Sequence, residues 1–231
     1  MKRNVILLHG LFGGLSNWEK VITHFQNDFN IHIPLLPIYN QHRENILEYL
    51  VSFLQHTIDS GQMEKVILVG NSLGGHVAII YAHRYPQRVE KLVLTGSSGL
   101  YENYTVGSYI RRKDYFYLKE RIEYTFYDPA VATATLIEEV MLTLADDQKC
   151  IRIIKTAQTT QRNYVTALLP QISMPVLLIW GAEDKITPPD VAREFKKSLP
   201  DSTLVFLSRC GHAPMMERPE EFNKLLEDFI C

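Results

Sequence analysis

The run Val66-Ile67-Leu68-Val69-Gly70-Asn71-Ser72-Leu73-Gly74-Gly75 constrains this chain more than any other stretch, because it drives an apolar strand through G-x-S-x-G into a helix. A strand-to-helix turn that tight holds its central residue in a strained conformation, and glycines two positions to either side leave room for the crowding. The serine hydroxyl is thereby lifted clear of the sheet, over a helix N-terminus whose N–H groups and dipole favour developing negative charge. The pattern alone is weak: with Gly and Ser each near 7% of residues, it arises by chance in roughly one chain of this length in ten. Its context carries the weight. Lys65 to Val69 reads as a buried parallel strand, and Leu73 to Tyr85 as a helix ended by Pro86.

The same grammar recurs along the chain. Apolar, β-branched strands are expected at Val5 to Leu8, Ile31 to Leu35, Val66 to Val69, Lys91 to Thr95, Pro175 to Trp180 and Thr203 to Leu207. Helical patterns at Ser16 to Asn27, Arg43 to Ser60, Leu73 to Tyr85, Pro189 to Ser198 and Pro219 to Phe229 separate them. Near-continuous apolar strands alternating with helices predict an α/β fold: a mostly parallel sheet of about six strands covered on both faces. Residues 99–169 break the alternation with three or four amphipathic helices and no strand. They read as a helical lid inserted above the carboxyl ends of the strands, between core segments 1–98 and 170–231.

A chain of 231 residues with 46% hydrophobic content can bury one large core. The net charge of −2, with charges interspersed, gives no basic stripe for nucleic acid. The start MKRNVILLHG mixes basic and apolar residues as a signal peptide does, but its apolar run is short and lacks an A-x-A site, so it reads as the first strand. No stretch reaches transmembrane length. Three scattered cysteines, Cys150, Cys210 and Cys231, suit reduced thiols in a cytoplasm rather than a disulfide framework. The expected partner is a small-molecule substrate, neither nucleic acid nor membrane, with monomer and homodimer both open.

A serine hydroxyl is a poor nucleophile until a base takes its proton, and a third group must hold that base in the right tautomer. After the strand ending at Trp180 comes Gly181-Ala182-Glu183-Asp184, and after the last strand comes Ser208-Arg209-Cys210-Gly211-His212. Asp184 and His212 thus fall in turns at the carboxyl ends of their strands. The order Ser72, Asp184, His212 distinguishes one architecture among the unrelated ones that use these three side chains. For oxyanion donors the N–H of Leu73 is the first expectation, and the loop His9-Gly10-Leu11-Phe12-Gly13-Gly14 supplies the second. His9 itself reads as a side chain that hydrogen-bonds the loop it begins. Because His212 must be neutral to accept the proton, kcat/KM is expected to rise with pH at around 6 to 7. No metal-ligand spacing, dinucleotide fingerprint or P-loop lysine is present, and this mechanism requires neither metal nor cofactor.

Through HGLFGG, GNSLGG, WGAEDKITP and CGHAPMMERPEEF the chain resembles the α/β-hydrolase superfamily over nearly its whole length. The likeness implies that Ser72 is the nucleophile, Asp184 orients and His212 is the base, with N–H groups of Leu73 and Leu11, or Phe12, forming the oxyanion hole. The nearest subgroups are small esterases and carbon–carbon hydrolases with helical lids. Relatives usually begin with two further strands, so a smaller sheet is expected here. Many also carry an acidic, glycine-rich loop where this chain has Pro34-Leu35-Leu36-Pro37-Ile38-Tyr39.

The pocket is less specified. Tyr101, Tyr104, Tyr109, Tyr115, Phe116, Tyr117, Tyr124, Phe126 and Tyr127 make the inserted segment aromatic; half or more of them pack helices, and the rest face an apolar cleft with phenol tips. Phe12, Tyr101, Tyr104 and Met215 are the expected substrate contacts, with Met215 and Met216 divided between pocket and core. Arg111, Arg112 and Lys113 read as a solvated helix face, and Cys210 as a small buried filler. The main functional expectation is a serine hydrolase of small carboxylic esters acting through an acyl-enzyme. Two alternatives stand beside it: a carbon–carbon hydrolase of ring-cleavage diketones, which Asn71 favours and Ala213, where that subgroup commonly has Trp, disfavours; and a non-catalytic binding protein on the same fold.

Overall fold

The computed structural model describes residues 2–13, 18–42, 45–103 and 111–231. Six strands, β1 (Asn4–Leu8), β2 (Asn30–His32), β3 (Val66–Asn71), β4 (Val89–Thr95), β5 (Val176–Gly181) and β6 (Ser202–Leu207), form one sheet in the order β2-β1-β3-β4-β5-β6. Every pairing is parallel. All the strands but β2 feed side chains alternately into two cores. Ile6, Leu8, Leu68 and Leu178 meet helices α2 (Ile46–Ser60), α3 (Leu73–Arg84) and α7 (Pro189–Ser198) on one face. Val5, Leu7, Ile67, Val69 and Ile179 meet α1 (Glu19–Phe25) and α9 (Pro219–Ile230) on the other. Burial on both faces is why these strands read as continuous apolar runs instead of alternating ones. Each fully buried Leu, Ile or Val adds about 1.5 to 3 kcal/mol. A one-residue slip of register would exchange the two sets, so the pairing is firmly specified.

β2 ends at His32, short of the Leu35 expected from sequence. Pro34 cannot donate to a ladder, and the N–H two residues on, that of Leu36, bonds to His9 Nε2 at 2.9 Å instead. The chain runs outward from β1 to β2 and then crosses back to β3, which leaves a topological switch between β1 and β3. Open α/β sheets bind ligands outside the carboxyl ends at such a switch.

Between β4 and β5 lie α4 (Tyr115–Glu123), α5 (Ala134–Ala145) and α6 (Asp147–Thr160). Their starts are written in the sequence as side-chain caps: Asp114 accepts from Tyr117 N, Thr133 from Leu136 N, and Asp146 from Gln148 N and Lys149 N. Leu118, Val140, Leu144, Cys150 and Ile153 give these helices a small core of their own, against which Leu11 and Phe12 of the β1 loop pack. At the neck of the insertion Val165 N donates to Gly99 O at 2.8 Å. A four-residue helix, α8 (Pro214–Glu217), precedes α9. Among the described residues no helix is long and apolar enough to cross a membrane.

Candidate active site

Ser72 sits between the last residue of β3 and the first of α3 with φ 54° and ψ −118°, a region that costs an L-residue on the order of 1 to 3 kcal/mol. The surroundings over-determine it. Its N–H donates to Thr95 O at 3.2 Å, and its carbonyl accepts from the N–H groups of Gly75, His76 and Ser98 at 3.0 to 3.2 Å. The flanking glycines serve close approach: a Cβ on Gly70 would stand 2.6 Å from Gly74 O, and one on Gly74 2.2 Å from Leu8 O. Strand, turn and helix are therefore pressed together with no space for a methyl group.

The loop after β5 presents Asp184, whose side chain is fully buried. Its Oδ1 accepts from Ile186 N at 2.8 Å and Thr187 N at 3.0 Å, and its Oδ2 accepts from Thr187 Oγ1 at 2.8 Å. The same Oδ2 lies 2.9 Å from His212 Nδ1. The carboxylate accepts the Nδ1 proton, and the free lone pair of the neutral imidazole is left on Nε2. Burial disfavours a charged His212, but the Asp184 carboxylate, by charge and by hydrogen bond, together with Glu102 and Glu217, holds it above the ordinary histidine value.

Backbone contacts lock these loops to the elbow. A Cβ on Gly181 would stand 2.0 Å from Gly211 O, so the loop of Asp184 and the loop of His212 touch main chain to main chain. Asn71, the residue before Ser72, donates from Nδ2 to Thr95 O and to His212 O, both at 3.1 Å. Gly96, with φ 51°, passes so near His212 that a Cβ there would come within 2.8 Å of its carbonyl. Glu217 accepts from Gly211 N at 2.9 Å, Ala213 N at 3.2 Å and Tyr127 N at 2.7 Å, joining the loop of His212 to the segment after α4.

Ser72 and His212 open on one cavity of about 240 Å³, walled by the β1 loop on one side and by α4 to α6 on the other. Leu11, Phe12 and Leu73 line it. Gly13 N donates to Gly10 O, closing a turn that leaves the N–H groups of its central residues Leu11 and Phe12 outside that bond. Leu73 is the first residue of α3, where helix geometry provides no internal acceptor for the N–H. A tetrahedral oxyanion formed on Ser72 thus has donors available from two loops.

Not every expected contact reaches this cavity. Phe12 does, as do Tyr117, Tyr124 and Phe126. Met215 does not: it is 1% exposed within the core shared with α9, and its neighbour Met216 lines the cavity in its place. Successive residues of a helical turn point about 100° apart, so only one of the pair can face inward. Tyr101 is also corrected: it is 61% exposed and its hydroxyl donates to Asn103 Oδ1. Tyr104 and Tyr109 lie outside the described residues. Arg111 pairs with Asp114 and Arg112 with Asp147, and neither lines the cavity. His9 Nε2 accepts from Leu36 N, which puts the proton on Nδ1, 2.7 Å from Gly10 O, so the ring holds the loop after β1. Cys210 is fully buried, and burial pushes its thiol away from the reactive form. Sequence reasoning missed Glu102, Glu217 and Gly96.

Residues 5–225 match the family model described as the alpha/beta hydrolase family. The chain is 29% identical to a 2-hydroxy-6-oxononadienedioate/2-hydroxy-6-oxononatrienedioate hydrolase of Paraburkholderia phymatum, an alignment spanning 99% of this chain and 87% of that protein. It is 28% identical to a pimeloyl-[acyl-carrier protein] methyl ester esterase of Nitrosomonas europaea, over 95% and 92% of the two chains. Among solved structures it resembles an alpha/beta hydrolase enzyme from the metagenome of sediments of the lagoon of Mar Chica, Morocco, with 34% identity, a TM-score of 0.79 and coverage of 99% and 90%. With its parallel sheet, its serine at the β3–α3 turn and its match to the family model over nearly the whole chain, this protein belongs to the alpha/beta hydrolase family and is a hydrolase.

Proposed function

We propose that this protein hydrolyses small carboxylic esters through an acyl-enzyme. Ser72 attacks the carbonyl, His212 takes its proton at Nε2 and returns it to the leaving alcohol, and Asp184 fixes the tautomer. Leu73 and Leu11, with Phe12 as the neighbouring donor, hold the oxyanion; His212 then activates water to release the acid. The observation that carries this reading is the 2.9 Å bond from Asp184 to His212 Nδ1 beside the cavity that Ser72 shares. Helices α4 to α6, within residues 99–169, act as the lid over it. The three unpaired cysteines support a cytoplasmic location.

The relative named as a dienedioate hydrolase favours a second reading, cleavage of a carbon–carbon bond in a ring-cleavage diketone. Esters of increasing chain length assayed beside a ring-cleavage dienoate, with the Ser72→Ala protein as blank, separate the two. Ester turnover that exceeds dienoate turnover supports the first reading, and the reverse order overturns it.

The base gives the pH dependence. His212 is held above its ordinary value of 6.5, and only the neutral ring accepts the serine proton. The acid limb of kcat/KM for a neutral ester is therefore expected to have its midpoint above 6.5, in the upper half of the range expected from sequence or beyond it. A profile flat from pH 5 to 9 contradicts His212 as base.

A further inference from the structure

The cavity holds one carboxyl group that the proposed mechanism does not use. Glu102 lies in the segment leaving β4 and lines the same cavity as Ser72 and His212. Its position is fixed by its neighbour: Asn103 N donates to Ile186 O at 2.8 Å and Asn103 Nδ2 to Lys185 O at 2.8 Å, tying this segment to the loop that carries Asp184. One oxygen of Glu102, Oε1, is buried without a hydrogen-bond partner among the described residues. A carboxyl that only served the fold would be expected to find donors at such a place.

We propose that Glu102 determines specificity, selecting acyl groups that are uncharged against acyl groups that carry a carboxylate of their own. The inference rests on the ester-hydrolase reading and deepens it by naming the class of acid released. The argument is electrostatic. A carboxylate on the substrate would share a small, largely apolar cavity with Glu102, where like charges repel far more than in water. The repulsion is graded by pH. Burial pushes the Glu102 carboxyl up to about 7, with the charge of His212 opposing and that of Asp184 adding to the shift. The other charged groups nearby are Arg121 on α4, whose guanidinium lies over the Tyr117 ring, Lys185, whose ammonium lies over the Tyr124 ring, and Glu217 behind the base loop. Both cations are engaged on aromatic faces, whereas Glu102 Oε1 has no hydrogen-bond partner among the described residues.

The test uses two nearly isosteric esters, 4-nitrophenyl hexanoate and the mono-4-nitrophenyl ester of adipic acid, which differ by a terminal methyl against a terminal carboxylate. The ratio of their kcat/KM values cancels the titration of His212, which both substrates require. In the unmodified protein the ratio is expected to favour hexanoate, and to grow about tenfold between pH 6 and pH 8.5 as Glu102 ionises. In Glu102→Gln it is expected to be flat with pH and near its low-pH value. A structural role alone would alter both substrates together and leave the ratio unmoved. If the variant does not fold, the pH dependence in the unmodified protein still decides. A flat ratio, a preference for the adipate ester, or an unchanged ratio in Glu102→Gln overturns the role of Glu102. Hydrolysis of both esters that persists in Ser72→Ala overturns the site assignment beneath it, a result the ratio cannot imitate.

Discussion

Replacing Ser72 by alanine is expected to lower kcat for ester hydrolysis by roughly 10⁵- to 10⁶-fold, the scale on which loss of a serine nucleophile acts, while the protein stays folded. The elbow is held by main-chain bonds, from Ser72 N to Thr95 O and into the Ser72 carbonyl, and alanine keeps all of them. Alanine also keeps the Cβ that makes φ 54°, ψ −118° unfavourable. Glycine does not. Ser72→Gly is thus expected to be equally inactive but to melt about 2 to 4 °C above Ser72→Ala, because roughly 1 kcal/mol of relieved strain remains after the extra chain entropy of glycine is subtracted. Residual turnover in both variants beyond their blank would remove Ser72 from the mechanism. Equal melting temperatures, read by calorimetry, would mean that no strain is stored at the turn.

What was readable before folding follows from how far apart the interacting residues lie. The strands were legible because burial on both faces leaves continuous runs such as Val66 to Val69. Helix α7 was legible because Pro189 opens it and its apolar positions repeat at helical spacing. Ser72, Asp184 and His212 were legible as candidates because each follows a strand, and a parallel sheet brings all carboxyl ends to one rim. Its supports were not. Asn71 meets the carbonyl of His212 across 141 positions, and Glu217 meets Tyr127 across 90, through main-chain groups that every residue has. Nothing in the spelling of GNS shows that its asparagine clips the loop of His212; the tripeptide was legible only as a family habit. Gly96 escaped notice since a positive φ and a close pass to His212 exist only once β4 and β6 are placed. The exchange of Met215 for Met216 is the phase of one helical turn, which sequence spacing leaves undetermined by a residue.

Asp184→Asn is expected to cost about 10⁴-fold in kcat at neutral pH, because it reverses the direction of one hydrogen bond. Oδ1 of Asp184 takes the N–H groups of Ile186 and Thr187, both donors that cannot turn away. An asparagine must therefore keep its carbonyl oxygen there and place its NH₂ where Oδ2 stood, facing His212 Nδ1 and the Thr187 hydroxyl. Two donors would then confront each other at Nδ1. The imidazole answers by moving its proton to Nε2, the nitrogen that must be bare to receive the proton of Ser72. Because the loop keeps its two main-chain anchors, stability should fall far less than activity. Asp184→Ala removes those anchors as well, and leaving buried N–H groups unpaired costs about 1 to 3 kcal/mol each. Asn and Ala variants of similar low activity but distinct melting temperatures would separate the tautomer from the turn. An Asn variant retaining more than about a tenth of the original kcat would show that His212 does not depend on Asp184 for its tautomer.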